Sequence, residues 1–207
     1  MNDKRLIIIG ASGHGKVVAD AAEKTKKYEQ ILFLDDADLK CCAEHPVIGA
    51  VSDAELYYGD AEFIVAIGNS SLREKIQDKL LYEGAHLATI IHPSAVIGKD
   101  VEIGIGTVLL AGSVVNTDSR IGKGCIINTG ATVDHDCEVG DYSHISVGAH
   151  LAGTVKIGKR TWIGIGASVS NNLQVIDDCM IGAGAVVIQP INIKGTYVGV
   201  PAREIKN

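Results

Sequence analysis

Asp134, His135 and Asp136 stand side by side in the segment Val133-Asp-His-Asp-Cys137. A histidine between two carboxylates is suited to accept a proton near neutral pH, because acidic neighbours raise its basicity and leave it within the physiological range. The plain alternative is a solvated surface histidine. Asn128, His144, His150 and Trp162 lie close by along the chain. In a stack whose period is three hexapeptides, His144 falls beneath Trp162 and Gly153 falls over His135. These residues predict a polar and aromatic cleft at one corner or face.

A second set lies near the N-terminus. Arg5-Leu-Ile-Ile-Ile-Gly10 reads as a buried strand, Gly10-Ala-Ser-Gly-His-Gly15 as a glycine turn, Lys16 to Lys24 as a helix, and Ile31-Leu-Phe-Leu34 as a second strand ending in Asp35-Asp36. Strand, glycine turn, helix, strand and acid is the order of a nucleotide-binding βαβ unit. The turn is spaced G-x-x-G-x-G and not G-x-G-x-x-G, which makes a sugar nucleotide as plausible a ligand as NAD. Glu62-Phe-Ile-Val-Ala-Ile-Gly68 is a third strand, with Asn69 at the carboxyl end where ligands of open α/β sheets sit. Ser52 is placed to cap a short helix through Tyr58. Ser71 and Glu74 match the spacing of a capping box for a helix to about Tyr82. Leu87 to Ile91 forms the last strand before the hinge at His92-Pro93. So few strands suit one mononucleotide.

What positions His135 is a repeat. From Ile91 to Ile193, every sixth residue is aliphatic, and four residues after each the side chain is mostly small. No α-helix or single strand holds that phase, whereas hexapeptide repeats of a parallel β-helix do. Three hexapeptides close one triangular coil, and stacking makes the core. Gly98, Gly104, Gly122, Gly140, Gly158, Gly164 and Gly182, each just after an aliphatic residue, are read as corners needing positive φ. No insertion is expected to break the phase. The boundary falls near residue 90, giving domains 1–90 and 91–207.

Composition narrows the classes. With 207 residues the chain can bury a proper core, and a net charge of -6 argues against a nucleic-acid surface. The five cysteines are odd in number and contain no C-x-x-C pair, so neither a disulfide framework nor a thiolate metal site is expected. Cys125, Cys137 and Cys179 fall on the small interior position, which predicts packing and disfavours a cysteine nucleophile. No apolar run reaches the roughly 20 residues of a membrane span, and nothing resembles a signal peptide. A cytoplasmic location without membrane insertion is expected.

The motifs Gly10-Ala-Ser-Gly-His-Gly15, Phe33-Leu-Asp-Asp36, Ala66-Ile-Gly-Asn69, Ile127-Asn-Thr-Gly130, Val133-Asp-His-Asp-Cys137, His144-Ile-Ser-Val-Gly-Ala149 and Val198-Gly-Val-Pro-Ala-Arg203 together resemble the NeuD/PglD group of bacterial sugar acyltransferases over the whole chain. The resemblance implies an α/β Rossmann-like N-terminal domain that binds a nucleotide sugar, followed by an all-β left-handed parallel β-helix. It also implies a homotrimer that binds acetyl-CoA between subunits. By the same resemblance His135 is the catalytic base, Asp136 its partner acid, and Asn128 a neighbour of the reaction centre. His144, Trp162, Gly153, Ile165 and Ala183 belong to the acetyl-CoA channel. Ser12, Gly13, His14, Asp35, Asp36 and Asn69 belong to the nucleotide-sugar pocket. Lys156, Lys159 and Arg160 are candidates for the CoA phosphates.

The expected reaction is direct N-acetylation of a UDP-4-amino-sugar, with a backbone N–H steadying the oxyanion. A GDP-amino sugar, or O-acetylation of sialic acid or another sugar hydroxyl, uses the same base. A non-catalytic β-helix scaffold is the alternative from another class, separated by a single acetyl-CoA turnover assay.

Overall fold

The computed structural model describes residues 4–205, and the chain divides into two compact units between Pro93 and Ser94. The first contains β1 (Arg5–Ile9), α1 (Gly13–Thr25), β2 (Gln30–Leu34), a hairpin of β3 (Cys41–Cys42) and β4 (His45–Pro46), a 3-10 helix (Val51–Tyr57), β5 (Ala61–Val65), α2 (Ser70–Tyr82), β6 (His86–Leu87) and β7 (Ile90–Ile91). A four-stranded parallel sheet runs in the order β2-β1-β5-β6. β1 is an unbroken aliphatic run because it is central and covered on both faces. Ile7 and Ile9 of β1 join Leu34, Phe63, Val65 and Leu80 in one buried cluster.

Several local expectations are corrected. α1 starts at Gly13, ahead of Lys16, and absorbs half of the glycine turn. Gly15 permits this, since a Cβ there would overlap the Gly10 carbonyl oxygen. Ser52 lies inside the 3-10 helix and does not cap it: Asp53 accepts from the Ala50 N–H at 2.9 Å and Asp36 from the Val51 N–H at 2.9 Å. α2 begins at Ser70, capped by Asn69, whose side chain accepts from the Leu72 N–H at 2.9 Å. Leu87 to Ile91 is two short strands rather than one.

The second unit is a parallel β-solenoid of mostly two-residue strands. Each strand pairs with its equivalent one coil on, as in Ile126↔His144↔Trp162↔Met180, Thr132↔His150↔Ser168 and Arg120↔Glu138↔Lys156, so three parallel sheets form three faces. Ile127, Val133, Val139, Ile145, Leu151, Ile157 and Ile163 fill the interior.

The ends of the ladder depart from the pattern. Ile97 is 38% and Ile193 64% exposed. After Val187 the coil shortens: Ile191 bridges to Val175 and Thr196 pairs with Met180, both two positions short of a full coil. The phase therefore slips and Ile193 leaves the core.

The glycines just after each aliphatic residue do not carry the positive φ expected of them. Positive φ falls two positions later, at Asp100, Gly106, Gly112, Asp118, Gly124, Gly130, Asp136 and onwards through Gly184. Gly98 and its equivalents serve close approach instead, as a Cβ on Gly98 would lie 2.5 Å from the Thr117 nitrogen.

The small interior position has a polar duty beyond size. Ser119 Oγ donates to the Asp134 carbonyl at 2.7 Å and accepts from the Cys137 N–H, while Ser143 and Thr161 repeat the pattern further along the stack. Each bond stabilises by about 1 kcal/mol and satisfies a carbonyl at a corner. Cys125 and Cys137 place Sγ 3.2 Å from the equivalent carbonyls of Gly140 and Ala152. These thiols and Cys179 are buried, as the repeat predicted, and burial raises the pKa of Cys137 and Cys179. Iodoacetamide is therefore expected to label exposed Cys41 in the native protein and to reach Cys125, Cys137 and Cys179 only on unfolding. Peptide mass mapping with and without urea checks this.

Candidate active site

His135 sits at the solenoid corner that follows Val133, half exposed. Its neighbour Asp136 has φ 57°, the left-handed corner conformation that aspartate tolerates better than most residues. Asp136 Oδ2 lies 2.7 Å from His135 Nδ1. An ionised carboxylate only accepts, so the shared proton is on Nδ1 and the lone pair is on Nε2. This hydrogen bond is the main cause of a raised His135 pKa, reinforced by the charges of Asp134 and Asp136 against a smaller desolvation effect.

Gly153 lies in the next coil, as the coil spacing predicts. A Cβ on Gly153 would come within 2.5 Å of His135 Nε2, and the Thr154 N–H donates to the His135 carbonyl at 2.9 Å. Asp134 completes the corner. Its Oδ1 accepts from the His135 N–H and from Asn116 Nδ2, both at 2.8 Å, and these bonds hold its carboxyl below the usual range.

Asn128, His144 and Trp162 form a separate cluster. His144 is buried under Trp162, with ring centroids 4.6 Å apart and a 37° tilt. Asn128 Nδ2 is 3.0 Å from His144 Nε2, and Trp162 Nε1 donates to Ser146 Oγ at 2.7 Å. Val147, Ile165 and Ala183 run along the adjoining corner at coil spacing, with Val147 43% and Ile165 61% exposed. His144 follows His135 by half a coil. The sheet carrying His144 and Trp162 is consequently opposite the corner carrying His135, and the expected single cleft does not exist within one chain. His150 occupies a third location, its Nδ1 2.9 Å from Thr132 Oγ1 on an outer face. The cations suggested for CoA phosphates are paired already: Lys156 with Glu138 at 2.9 Å, Lys159 with Asp141 at 3.7 Å, and Arg160 with both oxygens of Asp178.

In the first unit, Ser12 precedes α1 and makes no side-chain cap. The first-turn N–H groups of Gly13, His14 and Gly15 have no intrahelical acceptor by position, and with the helix dipole they form a cradle for an anion. His14 stands in that turn with Nε2 enclosed and without a hydrogen-bond partner among the described residues. Burial, helped by the charge of Arg73, pushes its pKa down to about 4, so the imidazole is neutral at pH 7. Arg73 was not anticipated; it is fully buried and donates to the Ile67 and Gly68 carbonyls at 2.7 and 3.0 Å, bracing the turn after β5. An Arg within an amphipathic helix reads as surface, so no sequence signal marked it. Asp35 accepts from the Ala11 and Ala37 N–H groups at 2.6 and 2.8 Å, Asp36 accepts from Val51, and Asn69 caps α2. These three side chains shape the turns around the cradle.

Among the described residues, no helix is long and apolar enough to cross a membrane, and no group of three His, Cys, Asp or Glu is placed to hold a metal.

Comparison with known proteins agrees with both units. Residues 5–80 match the PglD N-terminal domain family. UDP-N-acetylbacillosamine N-acetyltransferase of Bacillus subtilis (strain 168) is 35% identical over 113 residues, which spans 52% of this chain and about half (51%) of that relative. The acetyltransferase domain of PglB from Neisseria gonorrhoeae FA1090, solved in complex with acetyl coenzyme A, is 39% identical with a TM-score of 0.95, covering 99% of this chain and 100% of that one. A histidine-to-asparagine mutant of perosamine N-acetyltransferase from Caulobacter crescentus, solved with CoA and GDP-perosamine, is 35% identical with a TM-score of 0.94, covering 98% and 97%. With an α/β unit followed by a parallel solenoid, and 39% identity to a solved structure over 99% of this chain and 100% of that one, the chain belongs to the NeuD/PglD family of hexapeptide-repeat sugar acyltransferases.

Proposed function

We propose that the protein is an acetyl-CoA-dependent N-acetyltransferase acting on the amino group of a nucleotide-linked 4-amino-4,6-dideoxy sugar, with His135 as general base. The observation that carries the reading is the 2.7 Å Asp136–His135 bond, which fixes the tautomer and leaves Nε2 beside a glycine that gives it room. The sugar amine attacks the thioester carbonyl carbon, His135 Nε2 takes a proton from nitrogen, the C–S bond breaks, and the proton passes to the departing thiolate. No covalent enzyme intermediate is required. The α1 cradle with Ser12, Gly13 and His14 suits the diphosphate of the nucleotide.

The site is shared between subunits of a homotrimer. The half-coil separation of His135 from His144 supports this, since one chain cannot offer both to the same thioester, whereas cyclic packing sets different faces of neighbouring copies together. His144, Trp162, Ile165 and Ala183 of one copy then accompany His135 and Gly153 of the next.

Thiol release from acetyl-CoA, measured with UDP-4-amino-4,6-dideoxyhexose and with GDP-perosamine, tests the reading. Turnover with neither acceptor rejects it. The likeness to the Caulobacter crescentus enzyme is the reason for the second acceptor.

The pH dependence has a definite sign. Catalysis needs neutral His135, whose pKa is raised, so kcat/KM falls as pH drops through that raised value. Asp136→Ala removes the leading cause of the rise. Its acid limb is expected to move to lower pH while the plateau falls about tenfold, part of the roughly 10²–10⁴-fold that a positioned base contributes. An unmoved limb would show that Asp136 does not set the basicity of the group.

A further inference from the structure

Asp134 is not needed to hold the imidazole of His135, yet its carboxylate is held in one orientation at the same corner. Oδ1 is engaged twice, by the His135 N–H and by Asn116 Nδ2. Oδ2 makes no hydrogen bond among the described residues. The carboxylate borders a groove of about 550 Å³ on the prism face that leads to the His135 corner, where Asn116, Thr132, His150, Ser168 and Ser170 line it together with the apolar Val114, Leu151, Ala152 and Val169. Hydroxyl, amide and imidazole groups set among apolar side chains are the chemistry that recognises a sugar ring, its hydroxyls by hydrogen bonds and its C–H faces by contact. Directly over Asp134 by the coil spacing stands Ala152, whose small side chain borders the same groove.

We propose that Asp134 is the specificity-determining residue that makes the acceptor an amine and not an alcohol, by accepting a second N–H of the nucleophile through Oδ2. This rests on the acetyltransfer reading above. A primary amine brings a lone pair and two N–H groups: the lone pair attacks the carbonyl carbon, one proton goes to His135 Nε2, and the other hydrogen bonds to Asp134. The products are the secondary amide and the free thiol, so atoms and charge balance. An alcohol has one O–H, which the base must take. Its remaining lone pair would then face the carboxylate oxygen, which repels it and has nothing to accept. The discrimination is an unpaired and like-signed contact against the wrong nucleophile, which separates substrates more sharply than shape does.

Asp134→Asn is the informative variant, because an amide keeps an oxygen for the His135 N–H and Asn116, and so keeps the brace. It removes the charge and can present an NH2 donor where the amine needs an acceptor. Wild type and variant are assayed as full chains with acetyl-CoA, using UDP-4-amino-4,6-dideoxyhexose, GDP-perosamine and the matching 4-hydroxy nucleotide sugars. The expected result for Asp134→Asn is a 10- to 100-fold loss of kcat/KM with the amine, an unchanged KM for acetyl-CoA, and an amine-to-hydroxyl ratio at least tenfold lower. Asn116→Ala, which loosens the brace and keeps the charge, is expected to slow both acceptors and preserve the ratio. A ratio within threefold of wild type in Asp134→Asn overturns the proposal, and so does an equal collapse of the ratio in Asn116→Ala, which would assign the effect to bracing. If wild type acetylates neither acceptor type, the functional reading itself falls and this assignment falls with it. If it acetylates alcohols as readily as amines, only the assignment falls.

Discussion

Replacing His135 by Ala is expected to lower kcat by roughly 10²–10⁴-fold, with the affinity for acetyl-CoA and the thermal midpoint nearly unchanged. The side chain is half exposed at a solenoid corner and contributes nothing to the aliphatic ladder, so its loss leaves the fold alone. Its backbone bonds, the N–H to Asp134 and the carbonyl from Thr154, survive truncation at Cβ. What disappears is the one nitrogen whose tautomer Asp136 fixes. Steady-state kinetics with the true acceptor, alongside calorimetric titration of acetyl-CoA, separates the two effects. A variant that retained wild-type kcat would remove His135 from the reaction.

How much of this was legible in the sequence depended on whether one chain's periodicity sufficed. The six-residue ladder located the solenoid core because burial is set by the phase of Ile127, Val133, Val139 and their equivalents. The same arithmetic placed Gly153 over His135 and Trp162 over His144, since stacked coils repeat at every third hexapeptide. It also carried the information that His135 and His144 are half a coil apart, but the expectation of a single cleft treated nearness along the chain as nearness in space.

Other features were invisible for physical reasons. Which residue of a corner takes positive φ depends on backbone hydrogen bonding between coils, and glycine marks close approach as readily as left-handed conformation. The slip after Val187 is masked because Ile193 keeps the aliphatic spacing while the chain takes a shorter path. In the first unit, Asn69 and Asp53 serve in place of Ser71 and Ser52 because the helices begin at Ser70 and Val51, which puts Asn69 at the N-cap and Asp53 at the third position, in reach of N–H groups at the helix starts, and leaves both serines inside the helices. Arg73 escaped notice because full burial of a guanidinium is set by the carbonyls it meets, which only the folded turn brings together.

Gly153→Ala is the second change with a large expected effect, and it isolates the geometry of the base from its chemistry. Gly153 does not need positive φ, so alanine suits its backbone; the conflict is with the His135 ring, which the new methyl would approach within 2.5 Å of Nε2. The cheapest relief is rotation of the exposed imidazole out of the corner, which breaks its bond to Asp136 and leaves the coils stacked. Activity is expected to fall about 10²-fold or more, because a displaced base loses most of a positioned base's contribution, while the thermal midpoint moves little. The decisive measurement is the double variant. Residues in contact are not additive, so adding Gly153→Ala to His135→Ala is expected to cost no further activity. If the second substitution lowered kcat again by a similar factor, Gly153 would be acting on the thioester or the acyl donor directly, and the crowding of His135 would not be its role.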